Sequence, residues 1–410
     1  MSIINRCRSC GFKEFDDLFS LGNQYYTGIF PKKNEILKVP RGELKLVRCT
    51  KCDLVQLSKN FNLKKMYGNN YGYRTGLNIS MVNHIKEKIK YLKKKVKIDD
   101  NDIILDIGSN DGTLLNCFDN KKYKLIGIDP TLFKFKKYYP KKVIKINNFF
   151  SKKNLVKALG KRKVKLITSI AMFYDLPDPI SFANDIYDIL DDDGIWHLEQ
   201  SYSGYMLKNL SYDTICHEHL EYYSLKSIKY IFDKCNLKII DIKFNNINGG
   251  SFAISVAKKE SSIKINNLVI KKVLDNEKKN KINSTKKYKS FFNTINNEKL
   301  KLIKLLSKLK KENKIVLGYG ASTKGNVLLQ FCNFKNNRIK YISDVNKEKE
   351  NCYTPGSKIK IISEQSAKKI RPDYYLVLPW HFKEFILKKE KSTIKNGIKF
   401  IFPLPKIKVY

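Results

Sequence analysis

Between residues 66 and 260, short apolar runs alternate with longer stretches in which apolar residues recur every three or four positions. The runs "DIILDIG", "KLIGIDP", "VKLITSIAMF" and "GIWHLEQS" have strand length and are almost unbroken, as strands buried on both faces are. Between them, "DPISFANDIYDILDDDG" opens at an Asp-Pro pair and closes at a glycine, the start and stop signals of a helix. This alternation predicts an α/β fold built on a mostly parallel, doubly wound sheet. The pattern restarts over 314–410. There "KIVLGYGASTKGNVLLQ" reads as strand, glycine-rich turn and helix, with further strands at "IKYISD" and "DYYLVLPW". Over 261–313 the period changes. "LVIKKVLDNE" and "LKLIKLLSKLKK" space apolar residues helically among lysines, which predicts one or two solvated amphipathic helices bridging the α/β units.

Composition changes this picture little. A chain of 410 residues with 42% hydrophobic positions has material for two to four packed domains. It contains no apolar run of about 18 residues, so no membrane span is expected. The start, "MSIINRCRSCG", has no apolar core of a secretory signal, which favours the cytoplasm. The formal charge of +41 comes from 80 basic residues of which only eight are arginine. Nucleic-acid readers depend on arginine for bidentate contacts, so a nucleic-acid partner is not expected. The scattered lysines read as solvated faces whose summed field attracts an anionic small substrate.

Four of the nine cysteines form two CxxC pairs, Cys7 with Cys10 and Cys49 with Cys52. Four thiolates make a tetrahedral zinc site with no open position, so the expected zinc is structural. It would stabilise residues 1–65, a segment too small to fold on its own apolar core. No βαβ pattern surrounds either pair, which argues against a redox role.

The first glycine-rich turn, "ILDIGSNDGTLL", leaves a strand at Asp106 and passes through Gly108, Asn110, Asp111 and Gly112 toward an expected helix. The next strand ends at Asp129, where a carboxylate can bind ribose hydroxyls. Together these signals predict a nucleoside-bearing cofactor. "GSNDG" is not the G-x-G-x-x-G that places a pyrophosphate on a helix N-terminus. An acid ahead of the glycines suits a sulfonium and an ammonium group, so the loop resembles motif I of S-adenosylmethionine (SAM)-dependent methyltransferases. "NNFF" at 147–150 lies where such enzymes contact adenine, and "AMFYDLPDP" corresponds to their next motif.

Two of only five histidines, His217 and His219, fall in "ICHEHLEYYS". The spacing is wrong for the HExxH zinc motif, and no third ligand stands nearby. H-E-H followed by two tyrosines, downstream of a SAM-type unit, points instead to acid–base chemistry.

Taken in order, the two CxxC pairs, "LDIGSNDGTLL", "YDTICHEHLEYYS", "NGGSF", "GYGASTKGN", "YTPGSKIKI" and "DYYLVLPWHF" resemble the three-domain sugar C-methyltransferases, which methylate carbon 3 of nucleotide-linked 4-keto-deoxysugars. The resemblance covers nearly the whole chain. It implies a zinc-binding domain at 1–65, a Rossmann-like SAM domain at 66–260, a helical linker at 261–313 and a Rossmann-like C-terminal domain at 314–410 that helps hold the nucleotide sugar. It further implies His219 as the base, Glu218 as a substrate-binding or base-orienting group, and Tyr71 and Tyr73 as hydroxyl donors to an enolate. His217 is a weaker candidate beside them. Tyr222, Asn248, Gly318 and Lys324 are expected on the acceptor, with Lys324 near its diphosphate. Cys216 and Tyr174 stand where some family members carry tyrosine and histidine, which leaves methylation of an oxygen or nitrogen on a related sugar as the alternative.

Overall fold

The computed structural model describes residues 2–68 and 71–410. Its centre is a seven-stranded sheet in the order Leu237–Asn245, Ser251–Lys258, Leu190–Ser201, Val164–Ile170, Ile103–Ile107, Lys124–Ile128, Ile144–Ile146. Five of these strands pair in parallel, and Ser251–Lys258 runs antiparallel to both its neighbours. Strand order reverses between Ile103–Ile107 and Val164–Ile170. The crevice beyond the carboxyl ends of those two strands is where an open α/β sheet binds its ligand. The strands are as apolar as their sequence promised: every residue of Ile103–Ile107 is buried.

A second parallel sheet, closed by one antiparallel edge strand, orders Ile361–Ser363, Ile342–Asp344, Val316–Tyr319, Tyr374–Val377, Lys399–Phe402 and Lys408–Val409. The N-terminal sheet is antiparallel and takes Phe15–Tyr25, Arg41–Cys49 and Val55–Leu57 from its own segment. Its fourth strand, Glu221–Tyr222, comes from the "HEHLEYY" segment and pairs with Val55–Leu57. The histidine motif is therefore threaded into the zinc-binding unit.

The helices Asn267–Lys279 and Thr285–Lys311 form where expected. The longer one is not wholly solvated, however. It buries Tyr288, Phe291, Ile295, Leu302 and Leu306 in a core shared with the N-terminal and C-terminal sheets, and the Phe19 ring stacks on Phe292 at 4.9 Å. No helix among the described residues is long and apolar enough to cross a membrane.

Two local expectations fail. The motif I turn leads into a short 3-10 turn at Leu115–Cys117, not a full helix. Its sequence runs quickly into Asn116, Asp119 and Asn120, residues that favour turns, and Asn116 caps back onto the Gly112 carbonyl at 3.1 Å. The helix opened by Asp178 stops at Ile189 rather than at Gly194, because Leu190 already pairs with Val164 in the sheet.

Candidate active site

In the N-terminal unit, the Sγ atoms of Cys7, Cys10, Cys49 and Cys52 all lie within 4.8 Å of one another. Cys7 and Cys52 are 3.6 Å apart, Cys10 and Cys49 3.4 Å. Four thiolates at about 2.3 Å from one zinc stand roughly 3.8 Å apart, whereas a disulfide needs about 2.0 Å. All four thiols are free and the set fits zinc. Arg8, between the first two ligands, is buried. Its guanidinium donates to the carbonyls of Leu57 at 2.9 Å and Leu220 at 3.4 Å, and its Nε lies 3.5 Å from the buried Glu221 carboxylate. The zinc knuckle thereby grips the backbone next to His219.

At the strand reversal a cavity of about 120 Å³ is lined by Gly108, Asn110, Ile128, Asp129, Pro130, Phe149, Phe150 and Met172, among others. Gly108 has φ of 71°, and a Cβ there would stand 3.1 Å from Met172. Asp129 accepts from the Asn110 amide at 2.9 Å through Oδ2 and from the Thr131 amide at 2.6 Å through Oδ1. Oδ2 keeps acceptor capacity for a hydroxyl. Burial pushes the Asp129 carboxyl up, and burial beside Asp129 and Asp111 pushes Asp106 up to about 7. No lysine or arginine lines this cavity among the described residues. Acidic groups without a counter-cation, next to aromatic and aliphatic walls, fit a cofactor with an adenine, a ribose and positive charge.

Three residues expected on the cofactor shape the loop instead and do not line the cavity. Asp106 lies beneath it and accepts from the Thr168 hydroxyl at 2.7 Å. Asp111 accepts from the Gly76 amide at 2.8 Å. Gly112 faces the Tyr139 ring, which a Cβ would meet at 2.9 Å. Asn110 has two roles: it lines the cavity, and its side chain accepts from the Thr75 amide at 2.9 Å and donates to the Tyr73 carbonyl at 3.3 Å. Asn110 and Asp111 thus hold the strap 73–76 over the cofactor cavity.

A larger cavity of about 460 Å³ lies between the central and C-terminal sheets. Tyr67, Tyr71, Tyr73, Ala171 and Asp175 line both cavities, so this wall is where the two occupants meet. Ala171 adopts φ of 55°, a conformation that costs a non-glycine residue roughly 1–3 kcal/mol and clusters at functional sites. Tyr67 donates to Asp175 at 2.6 Å. Burial holds the Asp175 carboxyl well above the usual range and raises Glu218 as well, while burial beside Asp129 keeps the Tyr71 hydroxyl protonated. Tyr67 and Asp175 were not singled out by sequence, since each is an ordinary residue whose meaning comes from the shared wall.

His219 lines this larger cavity, with the Tyr174 ring 4.1 Å from its own. Its Nδ1 donates to the Thr214 carbonyl at 2.7 Å, which leaves Nε2 with the lone pair. Burial, followed by the nearby Lys324 ammonium, lowers its pKa to about 3, so the ring is neutral. Glu218 accepts from Thr27 at 3.4 Å and lies against Gly28, where a Cβ would come within 2.1 Å of Oε1. Asn248 and Lys324 also line the cavity, and Lys324 Nζ donates to the Asn248 carbonyl.

His217, Tyr222 and Gly318 line neither cavity. His217 sits between Tyr26 and Phe61 at 4.7 and 4.8 Å, with Nε2 3.1 Å from the Gly42 carbonyl; the turn closed by the His219 amide on the Cys216 carbonyl at 3.2 Å breaks the extended path that would put both histidines on one face. The Tyr222 hydroxyl donates to the His219 carbonyl at 3.0 Å and so holds the backbone of that histidine. Gly318 lies within its strand, where a Cβ would strike Ile342 at 2.3 Å. Gly320, two residues on, lines the cavity instead.

Sequence comparison agrees with this layout. A model described as "Putative zinc binding domain" matches residues 7–67, "Methyltransferase domain" matches 81–242, and "C-methyltransferase C-terminal domain" matches 246–405. The chain carries, in order, segments that match a zinc-binding domain, a methyltransferase domain and the C-terminal domain of C-methyltransferases. Its cofactors are SAM and a structural zinc held by the four cysteines. The C-methyltransferase NovU of Streptomyces niveus is 27% identical over 409 residues, 99% of this chain and 97% of the relative. Among solved structures, a SAM-dependent methyltransferase from Clostridium acetobutylicum superposes with a TM-score of 0.31 at 13% identity, covering 42% of this chain and 89% of that one. The plantazolicin methyltransferase BpumL in complex with SAH superposes with a TM-score of 0.34 at 14% identity, covering 42% and 82%.

Proposed function

We propose that the enzyme adds a methyl group to carbon 3 of a nucleotide-activated 4-keto-deoxysugar by way of an enolate. The observation that carries this reading is the neutral His219, with its Nε2 lone pair free, lining a cavity that shares a wall with the cofactor cavity. His219 takes the carbon 3 proton, and the enolate carbon attacks the methyl across the wall formed by Tyr71, Tyr73 and Asp175. SAM supplies that methyl as an electrophile. Tyr71 and Tyr73 donate hydroxyl hydrogen bonds, and Glu218 and Asn248 hold the acceptor. The printed activity of NovU supports carbon as the methylated atom. The basic chain and the C-terminal Rossmann-like unit support a nucleotide handle. We divide the chain into a zinc-binding domain (1–65), a methyltransferase domain (66–260), a helical linker (261–313) and a C-terminal domain (314–410). The matches at 7–67 and 81–242 support the first boundary, while the match at 246–405 takes the linker and the C-terminal domain together.

Incubation with SAM and a panel of nucleotide 4-keto sugars, with products weighed and the methyl located by NMR, tests the proposal. The expected product is heavier by one methyl group at carbon 3. In heavy water without SAM, the carbon 3 proton should exchange. Methyl transfer to a hydroxyl or amine, with no exchange, would replace this reading with oxygen or nitrogen methylation.

A further inference from the structure

We propose that Lys324 supplies the positive charge that stabilises the enolate oxygen, rather than anchoring the diphosphate. This rests on the carbon-methylation reading. Lys324 lies in the first turn of the helix Thr323–Phe331, whose Asn326 and Gln330 bond the backbone of Thr27 and Tyr25 in the N-terminal unit and whose Phe331 packs on Tyr212. The Lys324 side chain leaves the C-terminal unit, is buried, and is fixed by donation to the backbone carbonyl of Asn248. Asn248 itself sits at φ of 55° in the turn between the two antiparallel strands of the central sheet. The ammonium is thus held in the wall of the cavity that His219 also lines. Its field reaches His219 and His381, and the buried Asp213 is the acid beside it. Asp213 accepts from Trp380 Nε1 at 2.7 Å through Oδ2, and its Oδ1 has no partner. No direct ion pair joins this acid to Lys324 among the described residues; the Asn248 carbonyl holds the lysine, and Asp213 acts on it only through its field.

The other cations lining the cavity are committed elsewhere. Lys389 pairs with Glu364 at 2.6 Å, and the Arg74 guanidinium stacks on Tyr138 at 4.1 Å. Lys349 donates to the Ala321 carbonyl at 2.7 Å, beside the glycine-rich turn, and lies over the Phe30 ring at 4.4 Å. Lys349 therefore stands beside the turn where a phosphate would be cradled, while the Lys324 side chain runs from that turn to the Asn248 carbonyl.

The chemistry needs a charge where Lys324 stands. When His219 Nε2 takes the proton, the C–H electron pair forms the C3–C4 double bond and the carbonyl π pair moves onto oxygen. The negative charge created there is next to carbon 3 and so next to the base. The acids at this end, Glu218 and Asp175, are held toward their neutral forms by burial, and the tyrosines offer dipoles only. Burial lowers the Lys324 pKa and the neighbouring Asp213 opposes that shift; as the ammonium, Lys324 offers that oxygen a full charge where the tyrosines offer dipoles. Methyl transfer then restores the carbonyl, the proton stays on His219 until solvent takes it, and Lys324 ends the cycle unchanged.

The test uses Lys324→Met and Lys324→Gln in the full zinc-loaded chain. The readout is exchange of the carbon 3 proton into heavy water with the keto sugar that the wild type turns over. Exchange should fall by about 10²–10³-fold in both variants. Affinity for UDP and dTDP, measured by calorimetry, should change less than threefold. Unchanged SAM affinity shows that the variants are folded. Loss of the ammonium should also move the acid limb of the exchange profile to higher pH, because it no longer disfavours protonated His219. Exchange within threefold of wild type, or a tenfold or greater loss of UDP and dTDP affinity with exchange retained, overturns the proposal and returns Lys324 to the diphosphate. A wild type that exchanges no carbon 3 proton with any keto sugar overturns the carbon-methylation reading itself, which the variants do not test.

Discussion

The Nδ1 of His219 lies 2.7 Å from the backbone carbonyl oxygen of Thr214, so Nε2 is the ring nitrogen that carries the lone pair. Thr214 ends the 3-10 turn Tyr212–Thr214, and the bond closes the segment 214–219 with the histidine at its end. His219→Ala should lower turnover by about 10²–10⁴-fold, the usual contribution of a general base. SAM affinity should not change, because the cofactor cavity does not include His219.

The same residue sets the pH response. Its pKa is lowered to about 3, mainly by burial, so the neutral ring is the dominant form above about pH 4. kcat/KM should therefore hold between pH 8 and pH 5, where an unperturbed histidine of pKa about 6.5 would lose most of its base form. Stability has the opposite trend. The unfolded chain binds this proton below about pH 6.5 and the folded chain does not, so folding stability should fall as pH drops through that window. A rate profile and a denaturation series from pH 5 to 8 check both.

Metal analysis should find one zinc per chain, held by Cys7, Cys10, Cys49 and Cys52. Chelation should do more than loosen the N-terminus. The Arg8 contact to the Leu220 carbonyl and the pairing of Glu221–Tyr222 with Val55–Leu57 carry the disturbance to His219. Hydrogen exchange at residues 215–224 should rise on chelation, while the strand Ile103–Ile107 stays protected. Unchanged protection at 215–224 would show the two sites to be independent.

Gly28 makes room for Glu218. An added methyl would stand 2.1 Å from Oε1, so Gly28→Ala must displace a buried carboxyl at the acceptor cavity. KM for the sugar should rise about tenfold or more, the equivalent of roughly 1.4 kcal/mol. SAM affinity should stay within twofold. Equal losses for both ligands would mean that Glu218 is not an acceptor contact.

Asp129→Ala removes the acceptor of the Asn110 and Thr131 amides together with the group expected on the ribose. SAM affinity should weaken by about 1.5–3 kcal/mol, with a smaller effect on the sugar nucleotide. Calorimetry with each ligand alone separates the two.

Much of this protein was legible in its sequence because the signals are local. Unbroken apolar runs such as "DIILDIG" gave the parallel strands, and the paired CxxC spacing gave the zinc ligands, since both depend on period and residue type over a few positions. The Asp129 tip followed for the same reason: two successive strands and a turn are enough to place it. Stop signals were less reliable. Gly194 looked like a helix terminus, but Leu190 had already entered the sheet, a contact made with a strand 26 residues earlier.

Only the tertiary structure decided which histidine faces the substrate. His217 and His219 share a motif and a spacing, yet the turn closed by the His219 amide on the Cys216 carbonyl breaks their common face, so that His217 packs between Tyr26 and Phe61 and His219 lines the cavity. It likewise decided that Tyr67 and Asp175 stand in the wall between the two cavities, and that Lys324 crosses from one α/β unit to the Asn248 carbonyl of the other. These are long-range packing relations, set by which surfaces the three sheets bury against one another. A linear pattern records which faces are apolar but not which partner each face meets.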